Sequence, residues 1–229
     1  MTGRTYGLYD PLAQALDDAG ERWALLVVRE LLDGPRRYGE LQQRLPGLST
    51  ARLADRLREL RDAGLIQDGY TLTEQGQRLV PAIHALTRFG LARLRPLAGT
   101  ATAYRPSFAA YALRARADAA VLPAGPFLSV THVESESFCT RRDERGQVTT
   151  WAGDPGAEPT DIAVTDTITA MSLAVSSWTL AQARSRGHLT FRKTADDGCR
   201  WAAAHGVVEH GVVEHGVVGH GVAGHGVRH

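Results

Sequence analysis

The sequence predicts an α+β protein: a helical N-terminal unit carrying one hairpin, a second small unit of strands and helices, and a disordered tail. Three observations carry this reading. Apolar residues recur at helical spacing in successive runs between 11 and 94, interrupted once by Asp68-Gly69 between two β-prone stretches. Between 127 and 192, short runs of β-branched and aromatic residues alternate with turn signals and flank apolar helical stretches. From His205 the chain repeats His-Gly-Val-Val-Glu with drift, and a glycine in each repeat defeats a stable helix. The units are 1–98, 99–204 and 205–229, and a length of 229 residues suits two small domains.

The elements follow in order. Asp10-Pro11-Leu12 opens a helix that ends at Gly20. A second begins at Glu21-Arg22-Trp23, is apolar at Trp23, Leu26, Val27 and Leu31, and stops at Gly34-Pro35. A third runs from Tyr38 to Leu45, before Pro46-Gly47. Ser49 or Thr50 caps a fourth, whose stripe Leu53, Leu57, Leu60 is buried before Ala63-Gly64 terminates it. Asp68-Gly69 forms a two-residue hairpin turn, and Thr73 caps a long helix through Leu94. In the second unit a helix spans Ser107 to Asp118. Strands lie at Phe127–Val133, Ser137–Arg142, Val148–Trp151, Asp161–Val164 and His188–Arg192. One or two helices fill Thr167–Ala183, and a last one lies around Trp201.

Composition bounds the function. An apolar share of 43% with 22% charged residues is that of a protein with a proper core, and no apolar run approaches the roughly 18 residues of a membrane span. The opening residues Met1 to Tyr6 lack a signal peptide's apolar stretch, so the expected location is cytoplasmic, with no membrane partner. Cys139 and Cys199 are too few for a disulfide framework or a zinc ribbon. His132 with Glu134 and Glu136, or Asp161 with Asp166, could be drawn as acid–base pairs. No nucleophile, phosphate loop or metal spacing accompanies them, and the expectation is not an enzyme and no cofactor. The tail histidines, His205, His210, His215, His220 and His225, offer a metal no fixed geometry, so no metal site is expected.

Helix, short turn, helix and hairpin make a winged helix-turn-helix, in which the second helix enters the major groove and the first braces it. With the leucine stripe inward, Ala51, Arg52, Asp55 and Arg56 turn outward together. Arg36, Arg37 and Arg44 cluster near the third helix, where phosphate contacts would set register. Net charge is only +1, yet between Gly34 and Arg61 arginines clearly outnumber the anions Glu40, Asp55 and Glu59. A solvated helix face has the same pattern, and the local charge excess favours DNA. The candidate DNA-binding residues are Arg36, Arg37, Tyr38, Ser49, Thr50, Ala51, Arg52, Asp55 and Arg56.

The blocks Asp10-Pro11-Leu12, Gly20-Glu21-Arg22-Trp23, Gly34-Pro35-Arg36-Arg37-Tyr38, Pro46-Gly47-Leu48-Ser49, Leu57-Arg58-Glu59-Leu60 and Tyr70-Thr71-Leu72-Thr73-Glu74-Gln75-Gly76 resemble the HxlR-type winged-helix regulators over about residues 8–95. The resemblance implies a homodimer on double-stranded operator DNA, the fourth helix reading and the terminal helices forming the dimer seam. Many members carry a cysteine where Asp10 stands, some of them sensing oxidants with it, and an aspartate cannot do that chemistry. Gln67 and Tyr70 give the wing no cation, so weak wing contacts are expected. Apolar surface on the 74–94 helix and on Tyr6, Leu8 and Tyr9 calls for cover by a partner or by the second unit.

Residues 104–204 resemble the sterol-carrier-protein-type fold, through Tyr104-Arg105-Pro106, Ala112-Leu113-Arg114-Ala115-Arg116, Asp161-Ile162-Ala163-Val164, Ala181 to Gly187 and His188-Leu189-Thr190-Phe191. That resemblance implies an apolar tunnel for a small hydrophobic effector, with Phe127, Phe138, Trp151, Met171 and Trp178 as candidate ligand-binding residues. Val130, Ile168 and Leu173 would stand beside them, and plain core packing is the alternative. The expected function is a sequence-specific transcriptional regulator responding to such a ligand. The alternative is a hydrophobic-ligand carrier or protein-interaction protein whose winged helix does not bind DNA.

Overall fold

The computed structural model describes residues 5–94, 105–117, 127–194 and 198–207. Asp10 starts α1 (Pro11–Ala19), its carboxylate accepting from the Ala13 amide at 2.8 Å, and Pro11 fills a first-turn position that needs no N–H. Asp10 is thus a helix cap. α2 (Ala24–Leu31), α3 (Tyr38–Arg44) and α4 (Thr50–Asp62) follow, with Ser49 capping α4.

The hairpin departs from expectation. β1 (Ile66–Gln67) and β2 (Thr71–Leu72) pair Ile66 with Leu72 and Gln67 with Thr71, so the loop holds Asp68, Gly69 and Tyr70 rather than two residues. Burial sets this register. Ile66 and Leu72 are both buried and must share a face, which a two-residue turn would prevent. The loop closes with Gly69 at φ +77° and Tyr70 at φ +53°.

The long helix from Thr73 is also broken, into α5 (Glu74–Gln77) and α6 (Val80–Leu91). Pro81 has no N–H for the Gln77 carbonyl, and its ring crowds the preceding turn, so the chain restarts there. Gly76 lets α5 press on the hairpin, where a Cβ would lie 2.1 Å from the Leu65 carbonyl oxygen. The core gathers Val27, Val28, Leu31, Leu41, Leu45, Leu53, Leu57, Leu60, Ile66 and Ile83.

α7 (Pro106–Ala117) is buried on nearly every side, and its alanines admit neighbours closely. Tyr111 joins the N-terminal core, while Ala109, Ala112 and Leu113 belong to a second core. That core lies on a five-stranded mixed sheet of order β5-β4-β3-β6-β7: β3 (Phe127–Val133), β4 (Glu136–Arg142), β5 (Val148–Ala152), β6 (Asp161–Thr165) and β7 (Leu189–Lys193). β3 runs parallel to β6, and the other pairings are antiparallel. α8 (Thr167–Ala174) packs on α7, and α9 (Leu180–Ser185) on β7. The fold class is α+β, as expected. No helix among the described residues is long and apolar enough to cross a membrane.

α10 (Cys199–Ala204) is the last element among the described residues, and the core extends past the point where the repeat pattern begins. His205 is fully buried and Val207 packs into the second core, because helix geometry carries both back onto the sheet. Residues 208–229, which hold the remaining repeats and the other tail histidines, lie outside the described residues. His205 Nδ1 is 2.8 Å from the Trp201 carbonyl and must donate to it, so neutral Nε2 accepts from Thr140 Oγ1 at 3.1 Å. Trp201 Nε1 donates to Thr131 Oγ1 at 2.8 Å, completing a chain of buried polar groups across the sheet.

Burial, with a smaller push from Arg116, holds the His205 pKa down at about 4, and the bond to Trp201 opposes this. The imidazole stays neutral in the fold while the unfolded chain protonates near its ordinary value. Stability is therefore full above about pH 6.5 and falls as pH drops toward 4, by up to roughly 3 kcal/mol from this residue. Urea unfolding between about pH 7.5 and 4.5 should show that loss. His205→Gln should be less stable at neutral pH but lose less on acidification.

Candidate nucleic-acid interface

Orientation of α4 is set from inside. Leu53, Leu57 and Leu60 are 0%, 3% and 1% exposed, so the opposite side of the helix faces solvent. α3 braces its start: the Tyr38 hydroxyl donates to the Thr50 carbonyl at 2.7 Å, and Gln42 Nε2 to Thr50 Oγ1 at 3.3 Å. The Ser49 hydroxyl accepts from the Arg52 amide at 3.4 Å. Ser49, Thr50, Ala51 and Arg52 are exposed at this first turn, and Arg37 is exposed at the start of α3.

The predicted arginines divide into two groups. Among the described residues, no carboxylate engages the guanidinium groups of Arg37 and Arg52. Arg56 differs. Its side chain is 16% exposed, Nη2 donates to Glu59 Oε1 at 2.8 Å, and Nη1 lies 3.7 Å from Glu21. This corrects the expectation that Arg52 and Arg56 project together. At 100° per residue Arg56 lies roughly 70° from the centre of the leucine stripe, close enough to meet the α1–α2 corner, while Arg52 lies beyond a right angle.

Asp55 is paired with Arg58, and Arg36 Nε donates to the Glu30 carbonyl at 3.3 Å. Arg61 lies 3.6 Å from Asp68 and against the Tyr70 ring, so this cation is engaged by the wing itself.

Arg44, expected on phosphates, turns inward. It bonds Glu30 at 2.6 Å and reaches Glu136 of β4 at 3.2 Å. Glu30 is 5% exposed and also takes Arg29 at 2.6 Å. A carboxylate buried on α2 needs such cations, and this need outweighs solvent for Arg44. On the same seam Arg114 clasps Asp33 at 2.7 and 2.8 Å, and the Tyr111 hydroxyl donates to the Arg29 carbonyl at 3.3 Å.

The five apolar candidates do not converge. Phe138, Met171 and Trp178 meet in the second core. Phe127 sits apart with Ala204 and Val148, and Trp151 lies on edge strand β5, its Nε1 donating to the Asp154 carbonyl at 2.9 Å. A cavity of about 420 Å³ opens elsewhere, between Leu91 and Ala92 of α6, Arg116 of α7 and Ala174 of α8, with Arg88 on its wall. None of the five lines it. Sequence reasoning missed Arg88 and Arg116, because each reads as one more surface cation on an alanine-rich helix.

A short helix, a tight turn, a second helix held by one leucine stripe and a small hairpin define a winged helix-turn-helix protein. Residues 19–97 match the model of the HxlR-like helix-turn-helix family. The chain is 36% identical over 90 residues to an HTH-type transcriptional regulator of Synechocystis, covering 35% of this chain and 67% of the relative. It is 30% identical over 93 residues to YvaP of Bacillus subtilis, also an HTH-type transcriptional regulator, covering 36% and 86%. The chain belongs to the HxlR-like helix-turn-helix family.

Among solved structures, quinone-bound YodB of B. subtilis is 33% identical over 34% of this chain and 93% of its own, at a TM-score of 0.32. Palmitated SCP2L2 of Aedes aegypti is 18% identical over 43% and 92%, at 0.30. Neither superposition is close enough to bear on what this chain binds.

The two kinds of arginine should separate in unfolding experiments. Arg44→Met leaves Glu30 with one cation fewer and should cost at least about 2 kcal/mol. Arg52→Ala removes only a solvated side chain and should stay within about 0.5 kcal/mol of the parent.

Proposed function

We propose that the chain is a sequence-specific, DNA-binding transcriptional regulator that works as a homodimer. The first turn of α4 reads bases, and the C-terminal unit answers a small ligand. One observation carries the DNA reading: the exposed start of α4 joins an uncommitted arginine to small polar side chains, the composition that fits a major groove. Arg52 is the base-reading candidate and Arg37 a phosphate contact, with Tyr38 positioning α4 and Arg56 bracing it. The family relationship supports this reading, since the relatives above are named as transcriptional regulators.

The division into a DNA-binding and dimerisation domain (1–98) and an effector domain (99–204) belongs to the same proposal, with α7 joining both cores. α6 uses Ile83 and Leu91 inward, and its other side leaves Leu86 and Phe89 at 54% and 62% exposed. Tyr6, Leu8, Tyr9 and Leu12 are likewise exposed at the N-terminus. Packing against α7 covers only part of α6, and a second copy of the chain covers the rest. A dimer would place two α4 helices about 34–36 Å apart, or a multiple of this, on a palindromic operator.

Gel shifts on DNA flanking the gene test the first claim. Arg52→Ala should weaken the specific complex about tenfold, within the 1–3 kcal/mol of one base contact. Arg37→Ala should weaken specific and nonspecific complexes alike and lower the salt slope by about one. A protein that shifts no DNA at low salt would instead be a ligand carrier or a protein-interaction module.

Light scattering tests the second claim. The parent should run at twice its 24.7 kDa chain mass, and Leu86→Glu with Phe89→Glu at the single-chain mass. An unchanged double mass in that variant would put the interface elsewhere.

A further inference from the structure

The cavity between α6, α7 and the end of α8 mixes two kinds of wall. Leu91, Ala92, Ala174 and Val175 are apolar, whereas Arg88 and Arg116 bring two guanidinium groups. Arg88 Nη1 donates to the Ala115 carbonyl at 2.7 Å. Arg116 donates to three carbonyls: Nε to His205 at 3.0 Å, Nη1 to Ala174 at 2.9 Å, and Nη2 to Gly206. All these partners are neutral, and among the described residues no carboxylate pairs with either guanidinium. A guanidinium has more N–H donors than these bonds consume, so both arginines keep donors for a ligand.

Two permanent cations beside one apolar cavity are costly without a counter-charge. Burial already holds the Arg116 guanidinium below its ordinary pKa. Where ion pairing was available this chain used it, as Arg114 with Asp33 and Arg44 with Glu30 show. Two partly buried guanidinium groups with only carbonyl partners among the described residues therefore distinguish this place in the fold.

We infer that this cavity binds a small organic anion, its carboxylate held between Arg88 and Arg116 and its apolar body laid along Leu91, Ala92, Ala174 and Val175. A planar guanidinium matches a carboxylate in two-point geometry, and about 420 Å³ falls within the roughly 300–1,000 Å³ of small-molecule sites. The location gives the ligand a lever. α6 places Ile83 in the helix-turn-helix core and Arg88 at the cavity, while α7 places Tyr111 in that core and Arg116 at the cavity. A ligand bridging the two arginines ties these two helices together. This regulatory consequence rests on the regulator reading; the site does not.

Titration calorimetry on the full chain tests the site, using carboxylates from butanoate to decanoate, 1-octanol and inorganic phosphate. At least one carboxylate should bind saturably, and both 1-octanol and phosphate should bind at least about tenfold more weakly, the loss of one charged hydrogen-bonded pair. Arg88→Gln should weaken the best carboxylate about tenfold. Ala92→Phe, at an exposed helix end, should abolish binding by filling the cavity, with circular dichroism confirming that it folds. The bound carboxylate should also change affinity in the gel shift. No heat from any carboxylate, or equal binding by the folded Ala92→Phe variant, would overturn the site whatever the gel shift shows. Carboxylate binding by a chain that shifts no DNA would uphold the site and sink the regulator reading alone.

Discussion

Burial of a single leucine stripe on α4 is the constraint on which the rest of the molecule depends. α4 is a highly charged helix, and Leu53, Leu57 and Leu60 are its only fully buried side chains. Burying each contributes about 1.5–3 kcal/mol, so turning the helix by one residue would forfeit most of what holds it. The stripe therefore fixes which side chains can leave the surface. Tyr38 fixes the remaining freedom by holding the Thr50 carbonyl, which sets how far the first turn stands out from α3.

The same logic extends outward through charge. Glu30 is a carboxylate in the core of the helical unit, tolerable only because Arg29 and Arg44 reach it. Arg44 then extends to Glu136 at the start of β4, so the bracing helix α3 is linked to the sheet. Arg114 and Tyr111 make a second set of ties from α7. Motion of the sheet relative to the helices would break charged pairs at both places. The sheet and α7 are thereby tied to the helices that position α4.

Much of this was legible in the sequence. Helical spacing located α1 to α4, and β-branched runs located all five strands of the sheet. The misses have definite causes. Pro81 stood in plain view, but the apolar spacing on both sides of it read as one helix. The hairpin register needed the knowledge that Ile66 and Leu72 share a face, which only the assembled core supplies.

Local periodicity separates inside from outside but cannot name long-range partners. Arg44, Arg52 and Arg56 therefore looked alike until Glu30, Glu136 and Glu21 were in place. His205 read as the first unit of a polar repeat, and its burial comes from the helix before it. Phe127 and Trp151 were pocket walls only by the resemblance to the sterol-carrier-protein-type fold, and strand order sends Trp151 to an edge.

The most direct test of the central claim is photo-crosslinking to operator DNA from benzoylphenylalanine placed at single positions on α4. Substitution at Ala51, in the exposed first turn, should give efficient crosslinks to bases, while the same group at Asp62, at the far end of the helix, should give few or none. Equal crosslinking from both positions, or crosslinks from Asp62 alone, would contradict the assigned orientation of α4 on DNA.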